Sequence, residues 1–306
     1  MKWEKHGLLY CAAGESEWMQ SHAMIPTPTL MESNLIKVYL NFCDTKGRAR
    51  PGYIIVDPNN DFDVLEVSEQ PLIDLGRPGT FDDNGAALCS IVPVGGDRVY
   101  AYYVGFELGV KVRYRMLSGL AVSEDSGATF LKHSQVPILE RSNSEPFIRG
   151  GPFVLKESDI FKMWYVAGDK WLNIQGKSMP IYSIKYLESK DGIHWGSDGK
   201  ECVAVEHPEE FGFGRPYVIR SLDGYRMFYS IRHTKFGYLI GYAESEDGIN
   251  WERMDERFDL LPTGFGWDSK MICYAAFIQQ GERVFLFYNG NGFGETGVGV
   301  LELTDW

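Results

Sequence analysis

Short runs in which nearly every residue is apolar or aromatic recur along the chain at long, even intervals. Val38-Tyr39-Leu40-Asn41-Phe42, Val99-Tyr100-Ala101-Tyr102-Tyr103, Phe161-Lys162-Met163-Trp164-Tyr165, Tyr225-Arg226-Met227-Phe228-Tyr229 and Val284-Phe285-Leu286-Phe287-Tyr288 each have the length and residue types of a β-strand. Their last aromatics fall at 42, 103, 165, 229 and 288, in steps of 61, 62, 64 and 59, so five units account for nearly all 306 residues. A fixed long period in a β-rich chain means one supersecondary unit packed on copies of itself. Each unit is long enough for one four-stranded propeller blade, about 40–50 residues plus loops. The pattern predicts an all-β fold: a five-bladed β-propeller of four-stranded antiparallel blades, forming one domain over residues 1–306.

Within a unit, an inner strand precedes the aromatic second strand, and a third and fourth strand follow. The third often ends in a polar turn: Ser123-Glu124-Asp125-Ser126-Gly127-Ala128-Thr129-Phe130, Ser189-Lys190-Asp191-Gly192-Ile193-His194-Trp195 and Ser245-Glu246-Asp247-Gly248-Ile249-Asn250-Trp251. In such a turn Asp folds its carboxylate onto following N–H groups, Gly takes a positive φ, and the aromatic tucks under the next strand. The first resembles the Asp-box turn of sialidase-type propellers, and the other two are one residue shorter. All three read as hairpin turns and not as catalytic sites.

The fifth unit supplies only three strands from residue 269 onward, and the missing outer strand is found at the other end. Trp3-Glu4-Lys5-His6-Gly7 resembles Trp251-Glu252-Arg253-Met254-Asp255, which opens an outer strand. The N-terminal strand, about 3–10, is therefore expected to pair with a C-terminal strand at about 296–303 and close the last blade.

Composition narrows the function classes. The net charge of −12 disfavours nucleic acid, membrane surfaces and other polyanions. No apolar run approaches the ~20 residues of a membrane span, and the N-terminus lacks the apolar stretch of a signal peptide. Cys11, Cys43, Cys89, Cys202 and Cys273 are scattered singly, the pattern of reduced thiols in a cytoplasmic protein.

Candidate chemistry comes from the starts of the inner strands, which should line the mouth of a central channel. Aligning these strands on Met31, Val92, Leu155, Ile219 and Ile278 and stepping back nine or ten residues reaches His22, Asp82-Asp83, Glu145, Glu209-Glu210 and Asp268. Arg149 and Arg215 lie slightly further along. A ring of carboxylates would push its members' pKa values apart and suits glycosidic chemistry, where one carboxyl protonates the leaving oxygen and another activates water or attacks. Each acid alone also reads as an ordinary turn residue. Phe81, Phe211, Phe213, Phe265 and Trp267 are either flat faces for sugar rings or packing between blades.

Five aromatic-rich blades, acidic inner-strand starts and Ser-x-Asp-Gly-x-x-Trp turns resemble the five-bladed propeller glycosidases of families 43, 32, 68 and 130. The run Tyr238 to Trp251 and the first-blade run Tyr39 to Tyr53, with Asp44-Thr45-Lys46-Gly47-Arg48 between two strands, carry the likeness. The resemblance implies an aspartate base or nucleophile on blade one, a supporting aspartate on blade two and a glutamate acid from a later blade. Asp83 fits the second role and Glu145 the third, whereas Ser21-His22-Ala23-Met24-Ile25-Pro26 offers no carboxylate for the first.

The expected activity is cleavage or transfer of a glycosyl unit from a sugar or oligosaccharide, with Asp83, Glu145 and Asp268 as catalytic residues. His22, Asp44, Asp82, Arg149, Arg215, Trp267 and Lys270 form the expected substrate-binding set, and the arginines hint at an anionic or activated sugar. No cofactor is expected, with calcium in the central channel left open. His22, His207 and His233 would gather a metal only if folding joined them. No Gly-x-Ser-x-Gly elbow, Walker loop or His-Glu-x-x-His motif is present. The alternatives are a non-catalytic carbohydrate-binding propeller, and transfer or phosphorolysis.

Overall fold

The computed structural model describes residues 1–174 and 176–306. It is all-β, and its strands form four-stranded antiparallel meanders. The first holds β2 (Ser21–Leu30), β3 (Ile36–Cys43), β4 (Ala49–Asp57) and β5 (Asp63–Val67). The second holds β6 (Ala86–Gly95), β7 (Arg98–Leu108), β8 (Tyr114–Ser123) and β9 (Leu131–Lys132), and the third β10 (Ile148–Glu157), β11 (Ile160–Ile174), β12 (Lys177–Ser189) and β13 (Lys200–Val203). A short parallel pairing of β8 with β10, Met116 beside Ile148, fuses these two into one eight-stranded sheet. The fourth holds β14 (Glu210–Ser221), β15 (Gly224–His233), β16 (Gly237–Ser245) and β17 (Glu252–Arg253). The last holds β18 (Cys273–Gln280), β19 (Arg283–Asn289) and β20 (Val298–Asp305), completed by β1 (Lys2–Tyr10) from the other end of the chain.

The five aromatic runs are the second strands, β3, β7, β11, β15 and β19. Each is packed on both faces, which is why they read as near-continuous apolar segments instead of alternating ones. Phe42, Tyr103, Tyr165, Tyr229 and Tyr288 are all fully buried. The first strands β2, β6, β10, β14 and β18 neighbour one another in that order, and β18 returns to β2. Each carries a β-bulge partway along its pairing with the second strand, between Met24 and Thr27, Leu88 and Ser90, Gly150 and Phe153, Gly214 and Tyr217, and Cys273 and Ala276. At three of these bulges the chain turns left-handed, at Ile25 (φ 54°), Gly151 (φ 60°) and Tyr274 (φ 56°). Bulges re-aim side chains, and positive φ at bulky residues persists only where the surroundings enforce it.

The polar turns behave as their sequence predicts. Gly127, Gly192 and Gly248 take positive φ, and their N–H groups donate to Ser123, Ser189 and Ser245 Oγ at 2.8–2.9 Å. The turns also fasten neighbouring units together. Tyr102 Oη donates to the Gly192 carbonyl (2.9 Å) and Trp164 Nε1 to that of Gly248 (2.7 Å).

Closure by the N-terminal strand follows the expected register closely, with Trp3 opposite Leu303 and Tyr10 opposite Val298. Deleting residues 1–10 strips β20 of its partner and leaves an open sheet edge. The expected outcome is a thermal midpoint lowered by more than about 5 °C, read by calorimetry. An unchanged midpoint would show β1 to be dispensable.

Candidate functional site

The acids that precede the inner strands do recur at equivalent places, but they point outward into the blades. Asp82 accepts from Tyr103 Oη (3.0 Å) and Thr80 Oγ1 (2.9 Å) and pairs with Lys132 of β9 at 2.6 Å. Asp268 accepts from Tyr288 Oη and Thr263 Oγ1 (both 2.9 Å) and pairs with Lys5 of β1. Glu145 accepts from Tyr165 Oη (2.8 Å) and pairs with Arg149 (2.5 Å) and with Lys185 of β12 (2.9 Å). Glu210 takes a two-pronged Arg253 from β17 (2.6 and 2.9 Å), and Arg253 also holds Asp255, the acceptor of Tyr229 Oη. In these four units a buried carboxylate is tied to the second strand's last tyrosine or its partner acid, and to a cation from a strand further out.

This arrangement corrects the expected ring. Asp82, Glu145 and Asp268 are each 1–2 % exposed and share no partner, so each braces its own four-stranded meander. Burial pushes the Asp268 pKa up, but the bonds from Lys5, Tyr288 and Thr263 outweigh it and leave it below its ordinary value. The first unit lacks the brace altogether. Phe42 has no hydroxyl, Trp18 packs edge-on against it (5.6 Å), and β5 brings no cation to the place. A sequence signal for the braces does exist, an aromatic followed two residues later by a base, in Trp3-x-Lys5, Phe130-x-Lys132 and Trp251-x-Arg253.

The other expected residues fall in varied places. Asp83 is partly exposed, accepts from Gly79 N (2.8 Å) and, among the described residues, carries no cation. Asp44 closes its own turn by accepting from Lys46 N, Arg48 N and the Arg48 side chain. Burial raises its pKa, but these bonds prevail and hold it low. Arg149 is consumed by Glu145 and by the Glu140 and Gly196 carbonyls, which removes it from the expected substrate set. Arg215 is also removed: it is buried where four units meet and donates to Thr27 Oγ1 (2.8 Å), Cys89 O (3.1 Å) and Ala275 O (3.2 Å). Burial lowers its pKa to about 10, so it stays charged at neutral pH. Trp267 packs on Tyr288 (5.0 Å) and over Gly290 and Gly299, where a Cβ would collide with its ring, so it is a packing residue. Lys270 is exposed in a cleft with Phe236, Leu261 and Met271. His22 adopts φ 67° at the start of β2, with Nδ1 2.8 Å from Ser21 Oγ. Burial lowers its pKa against the opposing pull of Glu295. Among the described residues no group of three or more His, Cys, Asp or Glu is gathered for a metal.

What the structure gathers instead is a set of tyrosines around an arginine. In a meander the starts of first and third strands lie at the same end, and Tyr114 (β8), Tyr238 (β16) and Tyr274 (β18) occupy such starts. Tyr182 of β12 stands opposite Gly168, which in turn is opposite Ile148 at the start of β10, so it sits at the same level. Arg232, at the end of β15, lies opposite Tyr238, and its guanidinium stacks 4.5 Å over the Tyr182 ring and 4.4 Å over that of Phe211. Tyr238 meets Tyr274 edge-on (5.9 Å), and Tyr114 meets Trp171 (5.9 Å). Burial raises all four tyrosine pKa values, so the hydroxyls are neutral donors at any ordinary pH. Tyr182 also lines a pocket of 230 Å³ whose wall includes Glu145 and Lys185. Four units contribute to this cluster, none from the repeated offset, and only their shared strand-end positions could have flagged them in the sequence.

The braces make a direct prediction. Glu145→Gln removes the counter-charge of Arg149 and Lys185, and Lys5→Ala leaves Asp268 buried without its cation. Each is expected to cost about 3–5 kcal/mol of stability, measured by urea unfolding. The Asp268 contribution is complete above its unfolded value of 3.8 and fades as pH falls below that through its lower folded value. Asp268→Asn should therefore flatten the loss of stability between about pH 4 and pH 2; an unchanged acid slope would remove Asp268 from this role.

No protein-family model matches the chain. Similar solved structures include a glycoside hydrolase (18 % identity, 99 % of this chain and 93 % of that one, TM-score 0.72). A thermostable family-43 glycoside hydrolase is also similar (16 %, 92 % and 88 %, TM-score 0.63). So is a protein of the GH130 family of mannoside phosphorylases, which contains glycoside hydrolases that target β-1,2-mannosidic linkages in Candida mannan (14 %, 98 % and 93 %, TM-score 0.69). The fold is therefore that of the glycosidase-like propellers. A sequence relative, the uncharacterized protein Rv1502 of Mycobacterium tuberculosis, is 34 % identical over 306 residues, 99 % of each chain. At that identity and coverage, the chain belongs to the family of Rv1502.

Proposed function

We propose that the protein is a carbohydrate-active, glycosidase-like propeller of five blades that seats a glycosyl ligand on the tyrosine cluster at one end of its channel. The convergence of Tyr114, Tyr182, Tyr238 and Tyr274 from four units carries this reading. A tyrosine offers a flat apolar face to the C–H surface of a sugar and a hydroxyl to its oxygens. The closed order of first strands, each in a four-stranded meander, supports the five-bladed ring. For bond cleavage Asp83 is the candidate base, because it is partly exposed and free of a cation among the described residues. Glu145 is the poorer acid, since it is committed to Arg149, Lys185 and Tyr165.

A second reading, binding of a carbohydrate without cleavage, is supported by those same braces, which engage the carboxylates that a two-acid mechanism would need. Turnover of aryl glycosides and binding of oligosaccharides by calorimetry separate the two. If cleavage occurs, Asp83→Asn should slow it by ~10²–10⁴-fold with binding kept. Binding with no turnover establishes the second reading. In either case Tyr238→Ala should weaken binding by about tenfold or more, the loss of roughly 1.5 kcal/mol of buried aromatic contact. Unchanged affinity in both Tyr238→Ala and Tyr182→Ala would place the ligand elsewhere and overturn the proposal.

A further inference from the structure

Three arginines lie buried in this fold, and their surroundings differ in one respect. Arg149 has the Glu145 carboxylate, two backbone carbonyls and the Tyr165 hydroxyl. Arg215 has no carboxylate but donates to three oxygens of three other units. Arg232 is just as buried, at 2 % exposure, yet among the described residues its one hydrogen bond runs from Nη1 to the Pro180 carbonyl (2.7 Å), and its Nε, like that of Arg215, has no partner. Among the described residues no carboxylate pairs with it, and the polar groups that surround it are the hydroxyls of Tyr182, Tyr238, Tyr114 and Tyr274. A cation taken out of water with so few acceptors is costly to hold.

We propose that Arg232 anchors an anionic substituent, a carboxylate, sulfate or phosphate, on the glycosyl ligand seated among the four tyrosines. The inference rests on the reading of that cluster as a glycosyl site. The guanidinium fork has free donors for an oxyanion, and the tyrosine hydroxyls add neutral ones around it. The rings of Tyr182 and Phe211 flank the guanidinium, so a charge-assisted bond there is little screened by water. Arg113 stands 6.0 Å from the Tyr114 ring and supplies a second positive charge at the rim. With a net charge of −12 the molecule as a whole repels anions. Selection for one must therefore come from this local site and not from the long-range field.

Matched pairs of neutral and acidic glycans test the assignment by calorimetry on the full chain: glucose with glucuronate, galactose with galacturonate, glucose with glucose 6-phosphate, and sodium sulfate alone. Wild type is expected to bind the acidic member of a pair about 10–100-fold more tightly, the worth of hydrogen bonds to a charged group. Arg232→Gln should erase that difference. Arg232→Lys, which keeps the charge but loses the fork, should weaken the acidic members more than the neutral ones. If Arg232→Gln fails to fold, the wild-type comparison and Arg232→Lys still decide. Neutral members bound as tightly as acidic ones in wild type would overturn the anion assignment while leaving the glycosyl reading intact. Sulfate binding lost in Arg232→Lys, with no sugar bound, would uphold the anion site and overturn the glycosyl reading. No binding of any probe overturns both.

Discussion

One guanidinium, that of Arg215, holds the middle of this molecule. It comes from β14 and reaches oxygens on β2, β6 and β18, so four of the five first strands meet at a single planar group. A ring of sheets could otherwise slide, because apolar faces pack without a fixed register. A buried cation that must find several oxygens allows only one arrangement of the strands that carry them, and a polar network of this kind punishes any partial fit. Side-chain amides repeat the device nearer the rim. Asn41 bridges β3 to Met24 and Leu88, and Asn289 bridges β19 to Ala23 and Ile25.

Farther out, the carboxylate braces solve a different problem. Each inner strand must leave its outer neighbour at a fixed height, and Asp82, Glu145, Glu210 and Asp268 each tie the start of an inner strand to a base on an outer or third strand. The acidic surplus of the sequence is thus neutralised locally wherever it is buried. Because the first unit substitutes Trp18 and Phe42 for this pairing, its missing carboxylate is matched by a missing hydroxyl and a missing base. The absence is that of a whole brace, and it says little about lost catalysis.

The architecture was legible in the sequence because it is periodic. The aromatic second strands, the Ser-x-Asp turns and the pairing of β1 with β20 all follow from local residue patterns repeated at even spacing. The same periodicity misled the reading of the site. Recurrence at one offset marks positions that face the same structural demand in every unit, and Asp82, Glu145 and Asp268 meet such a demand. A ligand site in a ring of repeats must break the pattern, since a single ligand meets each unit differently. Arg232 has no counterpart in the other units, and its acceptor Pro180 lies 52 residues away on an extension of β11 and β12 beyond the blade. No local pattern encodes that meeting.

The pairing of β1 with β20 also orders events in time. Residues 2–10 are made well before their partners at 298–305. During synthesis β1 has no sheet to join, and the fifth meander stays incomplete until β20 has been made. Such pairing raises contact order and slows folding, and it leaves apolar strand edges open in the interval. It also ties the two halves of the ring into one cooperative body. A pause anywhere in between withholds β20, so the nascent ring resembles a clasp that locks only when both of its strands are in hand.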